Sequence, residues 1–275
     1  MNREPALLRR HEIAGSWSFR EAAADAWHPA EVPGCVHTDL MRNGIIPDPF
    51  FGANEQKLQW VGEKDWIYRA QFDAPRALLN ETHAELVFCG LDTYASVILN
   101  DRPVLDADNM FREWRTDCKP VLRGQGNILT VRFRNVFDET LPRHKQAAYP
   151  LQASGNNDQA DIKLAMYSRK AQFHFGWDWG PRLVTCGIWR PARIEAWSGL
   201  RICSVFVRQE NVTAAGADIL SELELLSDTS QRARVAVSMD SFRLVTEEHD
   251  LRAGLNRITV RGLLEKPKLW WTNGL

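Results

Sequence analysis

Residues 171–191, AQFHFGWDWGPRLVTCGIWRP, set Trp177 and Trp179 around a single acid, Asp178, and fence the triplet with Gly176, Gly180 and Pro181. The chemistry open to such a triplet is binding. A carboxylate can accept hydrogen bonds from two adjacent hydroxyls, and charge assistance makes such bonds roughly twice as strong as neutral ones. An indole offers an apolar face to the C–H side of a ring and an N–H at its edge. As a strand, 177–179 would point both indoles one way and the carboxylate the other, which suits a core position with the acid in water. The flanking glycines and Pro181 argue instead for a loop or bent strand end, where all three side chains can surround one small polyhydroxylated ligand. Taken alone, the residues leave core packing and sugar binding both open.

Other candidates are more diffuse. The segment VPGCVHTDLMRNGIIPDPF, 32–50, reads as an ordered loop with one or two helical turns, Thr38 or Asp39 placed to cap them and Gly44 to stop them. Its His37, Asp39 and Asp48 could serve a site, or could make local capping and turn hydrogen bonds. Arg169, Lys170, His174, Arg182 and Arg190 flank the triplet and are expected as ion pairs that hold the loop. Cys35, Cys89, Cys118, Cys186 and Cys203 form no C-x-x-C pair, which argues against zinc. Their odd number argues against a full disulfide framework. No metal or cofactor is expected.

The elements that must position these residues are mostly strands. WIYRAQF (66–72), AELVFCG (84–90) and ILTVRFRNV (128–136) alternate bulky and polar residues at period two, and YASVILN (94–100) ends in the turn signal Asn100-Asp101. Between 138 and 170 the alternation stops, with two prolines and Gly155-Asn156-Asn157, and a long loop is expected. After Trp197-Ser198-Gly199 alternating strands resume at 201–210, 218–226, 232–240 and 255–263, spaced as in an immunoglobulin-like sandwich. The expected class is all-β, with one domain over 1–198 and a second over 199–275. The second holds fewer residues than the roughly 100 such a sandwich uses, so it is expected to be incomplete at its C-terminus.

Composition narrows the partners. The 275 residues carry 34 basic and 35 acidic side chains, a formal charge of −1, which gives no reason to expect nucleic acid or an anionic membrane. No apolar run approaches a membrane span, and the start, MNREPALLRRHEIAGSW, lacks the apolar core of a signal peptide. A cytoplasmic location is the expectation. The eleven tryptophans are many for this length; an indole can face a sugar, but abundance alone favours large β cores.

The segment SRKAQFHFGWDWGPRLVTCGIWRP resembles the signature of β-mannosidases, within the glycoside hydrolase family that also contains β-galactosidases and β-glucuronidases. VPGCVHTDLMRNGIIPDPFFGANE and WVGEKDWIYRAQF resemble the opening of the β-mannosidase sugar-binding domain. FCGLDTYASVILND with DNMFREW resembles its middle strands, and KPKLWWTNGL the end of an immunoglobulin-like domain. The resemblance covers nearly the whole chain. It implies a jelly-roll (galactose-binding-like) sandwich followed by an immunoglobulin-like one, and in the parent a TIM barrel. The implied reaction removes terminal β-linked mannose from oligosaccharides with retention, using two glutamates of that barrel about 5–5.5 Å apart. Those glutamates would lie outside this chain, so the resemblance implies no catalytic residue here and an inactive fragment. It implies substrate binding for Trp177, Asp178 and Trp179, with Asp178 accepting from sugar hydroxyls beside the parent's own barrel. The alternatives are a non-catalytic carbohydrate-binding module and a fragment of a related exo-β-glucosaminidase.

Overall fold

The computed structural model describes residues 8–13, 16–149, 151–153, 158, 160–239 and 242–272. The expected Gly155-Asn156-Asn157 turn, the first seven residues and the last three lie outside these. The chain divides into two compact units, Arg9–Ala196 and a smaller one containing Trp197–Leu275.

In the larger unit the strands are β1 (Arg9–Glu12), β2 (Trp17–Glu21), β3 (His28–Ala30), β4 (Trp66–Phe72), β5 (His83–Phe88), β6 (Tyr94–Leu99), β7 (Arg102–Asp108), β8 (Trp114–Asp117), β9 (Asn127–Arg134) and β10 (Ala192–Trp197). They form a six-stranded sheet in the order β3-β2-β4-β9-β6-β7 and a four-stranded sheet in the order β1-β10-β5-β8. Every pair in the larger sheet is antiparallel. The period-two alternation explains the layering: Trp66, Tyr68, Ala70 and Phe72 are buried on one face of β4, and Tyr68 lies opposite Val131 of β9. Phe19, Tyr68 and Phe133 from this sheet share one core with Leu86, Phe88 and Ile194 from the other. Tyr68 stacks on Phe19 at 5.7 Å and meets Phe133 edge-on at 5.7 Å, geometries that add to simple area burial. Asn100 and Asp101 both take positive φ, 51° and 64°, which is the primed turn that the β6–β7 hairpin demands.

Among the described residues four α-helices decorate this sandwich: α1 (Val36–Arg42), α2 (Asn54–Lys57), α3 (Arg76–Leu79) and α4 (Val136–Gln146). Two of them correct the sequence reading. Helix α1 starts earlier than expected, with Cys35 at the N-cap; Thr38 is its third residue and reaches back to the cap. Gly44, at φ 68°, ends it as expected. The expected loop from 138 begins instead as residues 138–146 of α4. Asn135 caps it by accepting from Asp138 N at 2.9 Å. Asp138 and Glu139 in the first turn and Arg143, His144 and Lys145 in the last suit the helix dipole. Pro142, inside the helix, disguised it.

The smaller unit has β11 (Leu200–Glu210), β12 (Gly216–Ser227), β13 (Gln231–Met239), β14 (Phe242–Leu251) and β15 (Gly254–Glu265). They make a three-stranded sheet, β11-β12-β15, and a two-stranded one, β13-β14. Leu223, Leu225 and Val260 of the first enclose a core with Ala233 and Leu251 of the second. Strand β14 was not anticipated. Its Thr246-Glu247-Glu248-His249-Asp250 run is polar throughout, and pairing with β13 is what makes it a strand.

Candidate functional site

The Trp-Asp-Trp triplet sits on a loop, not a strand. Phe175 and Arg182 pair across its neck, and Trp177 N donates to Gly180 O at 3.0 Å to close the tip. Gly176 takes φ 94° at the entry to this turn, a conformation costly for any residue with a Cβ. Phe175 at the neck is fully buried with Tyr94, Val136, Ala165 and Val184. The tip is open: Asp178 is exposed and Trp179 is 74% exposed. Trp179 lies against Phe173, with ring centroids 6.4 Å apart.

All three residues border one open cleft of about 350 Å³, whose other wall is Pro49, Phe50, Gly52 and Glu55. Phe50, also 74% exposed, is presented by a turn in which Asp48 Oδ1 accepts from Phe50 N at 2.9 Å. Two aromatic walls thus flank two carboxylates, Asp178 and Glu55. Aromatic faces beside carboxylates are groups that can hold a sugar ring. Sequence reading missed Phe50 and Glu55. The signal was there in part, since PDPFFG places two phenylalanines among turn formers just as GWDWGP places two tryptophans.

The loop's neck is tied to the opposite wall. Glu55 Oε1 accepts from Arg182 N at 2.6 Å, and Gln59 Nε2 donates to Arg182 O at 2.8 Å. The Arg182 guanidinium donates to Gln59 Oε1 and lies 5.3 Å from the centre of the Phe137 ring. Arg190 lies 4.2 Å from the Trp189 ring. These two arginines, expected as ion pairs, therefore work by cation–π contact and hydrogen bonding instead; the aromatic neighbours come from tertiary packing or the adjacent residue. Arg169 contributes its carbonyl, which accepts from Met110 N at 3.0 Å.

Lys170 does form an ion pair, and it is buried. Its Nζ donates to Asp92 Oδ1 at 2.5 Å and to Thr185 O at 2.7 Å, with Lys170 and Asp92 each 2% exposed. Thr185 Oγ1 donates to Asp92 Oδ2 at 2.8 Å, and Thr93 Oγ1 to Asp92 Oδ1 at 2.5 Å. Burial pushes the Asp92 pKa up, but the Lys170 charge and these hydrogen bonds hold it below the usual carboxylate value. Burial and then the Lys170 charge lower His174, beside them, to about 4. Burial first, then Lys170 and His174, lower His37 likewise to about 4.

The other candidates fall to the scaffold. Asp39 is fully buried and accepts from Glu31 N at 3.0 Å, Arg42 Nη1 at 2.7 Å and Tyr68 OH at 2.8 Å. His37 is buried on α1, and Asp48 shapes the Phe50 turn. Neither His37 nor Asp39 borders the cleft. Among the described residues no group of three or more His, Cys, Asp or Glu side chains could hold a metal ion.

Residues 17–190 match the family model described as the glycosyl hydrolase 2 galactose-binding domain-like domain. The chain is 36% identical over 268 residues to β-mannosidase B of Thermothelomyces thermophilus, covering 93% of this chain and 30% of that protein. The crystal structure of the β-D-mannosidase of Dictyoglomus thermophilum superposes with a TM-score of 0.87 at 34% identity, covering 98% of this chain and 32% of that one. An exo-chitosanase of Amycolatopsis orientalis shares the fold, with a TM-score of 0.67 at 18% identity over 97% of this chain and 30% of that one. The chain spans about a third of the length of these relatives.

Proposed function

Since the chain belongs to the glycosyl hydrolase 2 galactose-binding domain-like family and corresponds to the N-terminal region of β-mannosidases, we propose that it supplies one side of the sugar pocket of a retaining exo-β-mannosidase. The observation that carries this reading is the cleft between Phe50 and the Trp177–Trp179 tip. Asp178 accepts from two hydroxyls of the terminal mannose, and Trp177 and Trp179 shape the wall against its ring. Glycoside hydrolysis with retention needs two carboxyl groups about 5–5.5 Å apart, one acting as nucleophile and one as acid and base. In this reading both come from the parent's barrel. The 275-residue chain by itself then releases nothing from a chromogenic β-mannoside, and turnover that persists through two unrelated purifications would contradict that assignment.

The decisive experiment is Asp178→Ala in the longer protein that carries this region. Losing charge-assisted hydrogen bonds costs about 1.5–3 kcal/mol, a fall of roughly ten- to a hundredfold in kcat/KM. Contact with the 2-hydroxyl would place part of the loss on kcat, because such bonds strengthen in the transition state. Unchanged kcat/KM in a folded variant would remove the carboxylate from the sugar site.

A further inference from the structure

We infer that Asp92 is a positioning residue for the Trp177-Asp178-Trp179 loop: one buried carboxylate ties the two ends of segment 171–184 together and so sets the pose of its tip. Lys170 immediately precedes this segment and Thr185 immediately follows it. Asp92 binds the first through Oδ1 and the second through Oδ2, at 2.5 and 2.8 Å. Lys170 Nζ closes the triangle on Thr185 O at 2.7 Å. The Asp92 backbone also pairs with the chain just beyond Thr185. Asp92 N donates to Gly187 O and Gly187 N to Asp92 O, both at 3.0 Å. Gly187 can approach because it has no side chain; a Cβ there would lie 2.7 Å from Gly34 O and 2.9 Å from Cys35 Cα.

Hydrophobic contact alone would hold the base less specifically. Apolar packing is non-directional, so Phe175 and Val184, which are buried in a small cluster beside the base, can keep the loop attached without defining its register, and the Glu55 and Gln59 bonds to Arg182 hold only its C-terminal limb. A carboxylate with two oxygens a fixed distance apart, each claimed by a different end of the segment, defines where both ends must be. A buried pair of this kind adds little net stability and can instead select one arrangement. The tip needs such help because it is open to solvent: Trp179 is 74% exposed and contributes little to any core.

The first test is amide hydrogen exchange on the 275-residue chain, and it does not depend on sugar binding. Thr185→Val keeps the shape and removes the bond to Oδ2. Exchange over 173–183 should rise about tenfold, the size of one lost hydrogen bond, with β4 and β9 unchanged and protection retained in Thr185→Ser. Because Asp92→Asn alone strands a buried ammonium, the second variant is Asp92→Asn with Lys170→Met, which removes both charges and should loosen the same segment further. Unaltered exchange over 173–183 in both variants, or a rise spread evenly over the sandwich, would overturn the inference and leave Phe175, Val184 and the Glu55 and Gln59 bonds to Arg182 as the anchor. The functional consequence rests on the sugar-pocket reading and is tested separately in the longer protein. There Thr185→Val should raise KM for a β-mannoside more than it lowers kcat. Loosened exchange with unchanged KM would uphold Asp92 as the positioning group while removing the loop from the substrate site.

Discussion

Six strands face four in the larger unit, and Phe19, Tyr68, Phe88 and Phe133 are fully enclosed between them. In the smaller unit three strands accompany two, and the described edge strand β11 leaves Ile202, Val205, Phe206 and Val207 between 51% and 59% exposed. Trp270 and Trp271, further along, are 83% and 65% exposed. Both units read as alternating strands in sequence. Alternation makes a face apolar, but only an opposing layer of sufficient width removes that face from water. The larger unit has that width, and it is also the one that carries the exposed Trp177-Asp178-Trp179 loop over a buried ion pair. An enclosed core can hold an ion pair dry, whereas a half-covered sheet has no interior deep enough to do so.

The contrast should appear most strongly in truncations of matched chemistry. Phe133→Ala removes a fully buried ring and should destabilise the larger unit by about 3–5 kcal/mol. Phe206→Ala, at a ring 59% exposed, should change stability by less than about 0.5 kcal/mol. Urea unfolding followed by hydrogen exchange in each unit measures both, and equal losses would erase the distinction.

Acid should come next, and should act on the larger unit, which contains both His37 and His174. Their folded pKa values lie near 4 against an ordinary 6.5. Between those limits the unfolded imidazoles take up protons that the folded ones refuse. Stability therefore falls as pH drops from 6.5 toward 4, by up to about 1.4 kcal/mol per pH unit for each imidazole, and levels off below. The depressed Asp92 pKa adds a further loss in the same direction at lower pH, as its carboxylate is protonated. A urea midpoint for this unit that is flat from pH 6.5 to 4.5 would show that neither histidine is buried neutral.

Smaller effects probe surfaces. Val207→Lys puts a charge on the exposed edge of β11 and should reduce any concentration-dependent association seen by sedimentation, with stability unchanged within about 0.5 kcal/mol. Asp178→Ala should be as quiet thermodynamically, because the exposed tip bears on no core; its melting temperature should match that of the parent chain. A marked drop would mean that the triplet is structural.

Strand β4 shows how far local pattern reaches. WIYRAQF alternates apart from Ile67, and the strand occupies the same residues, Trp66–Phe72, with Trp66, Tyr68, Ala70 and Phe72 buried. The β6–β7 turn at Asn100-Asp101 was equally legible, since few residues other than glycine accept φ above zero. Gly176, Gly180 and Pro181 likewise marked 177–179 as a loop. Helix α4 was hidden by Pro142, and β14 by a polar run that becomes a strand only through its partner.

The sequence by itself determined the all-β class, the alternating core faces of the main strands, and the loop that carries Trp177, Asp178 and Trp179. It could not show what stands opposite that triplet or what holds it. Phe50, on a turn, and Glu55, on α2, form the facing wall from more than a hundred residues earlier, and Lys170 meets Asp92 across a separation of 78 residues. Period and turn propensity are properties of neighbours along the chain, set by backbone sterics and by which face each side chain takes. The cleft and its buried tie are properties of neighbours in space, which exist only once the two sheets close and exclude water from the ground between them.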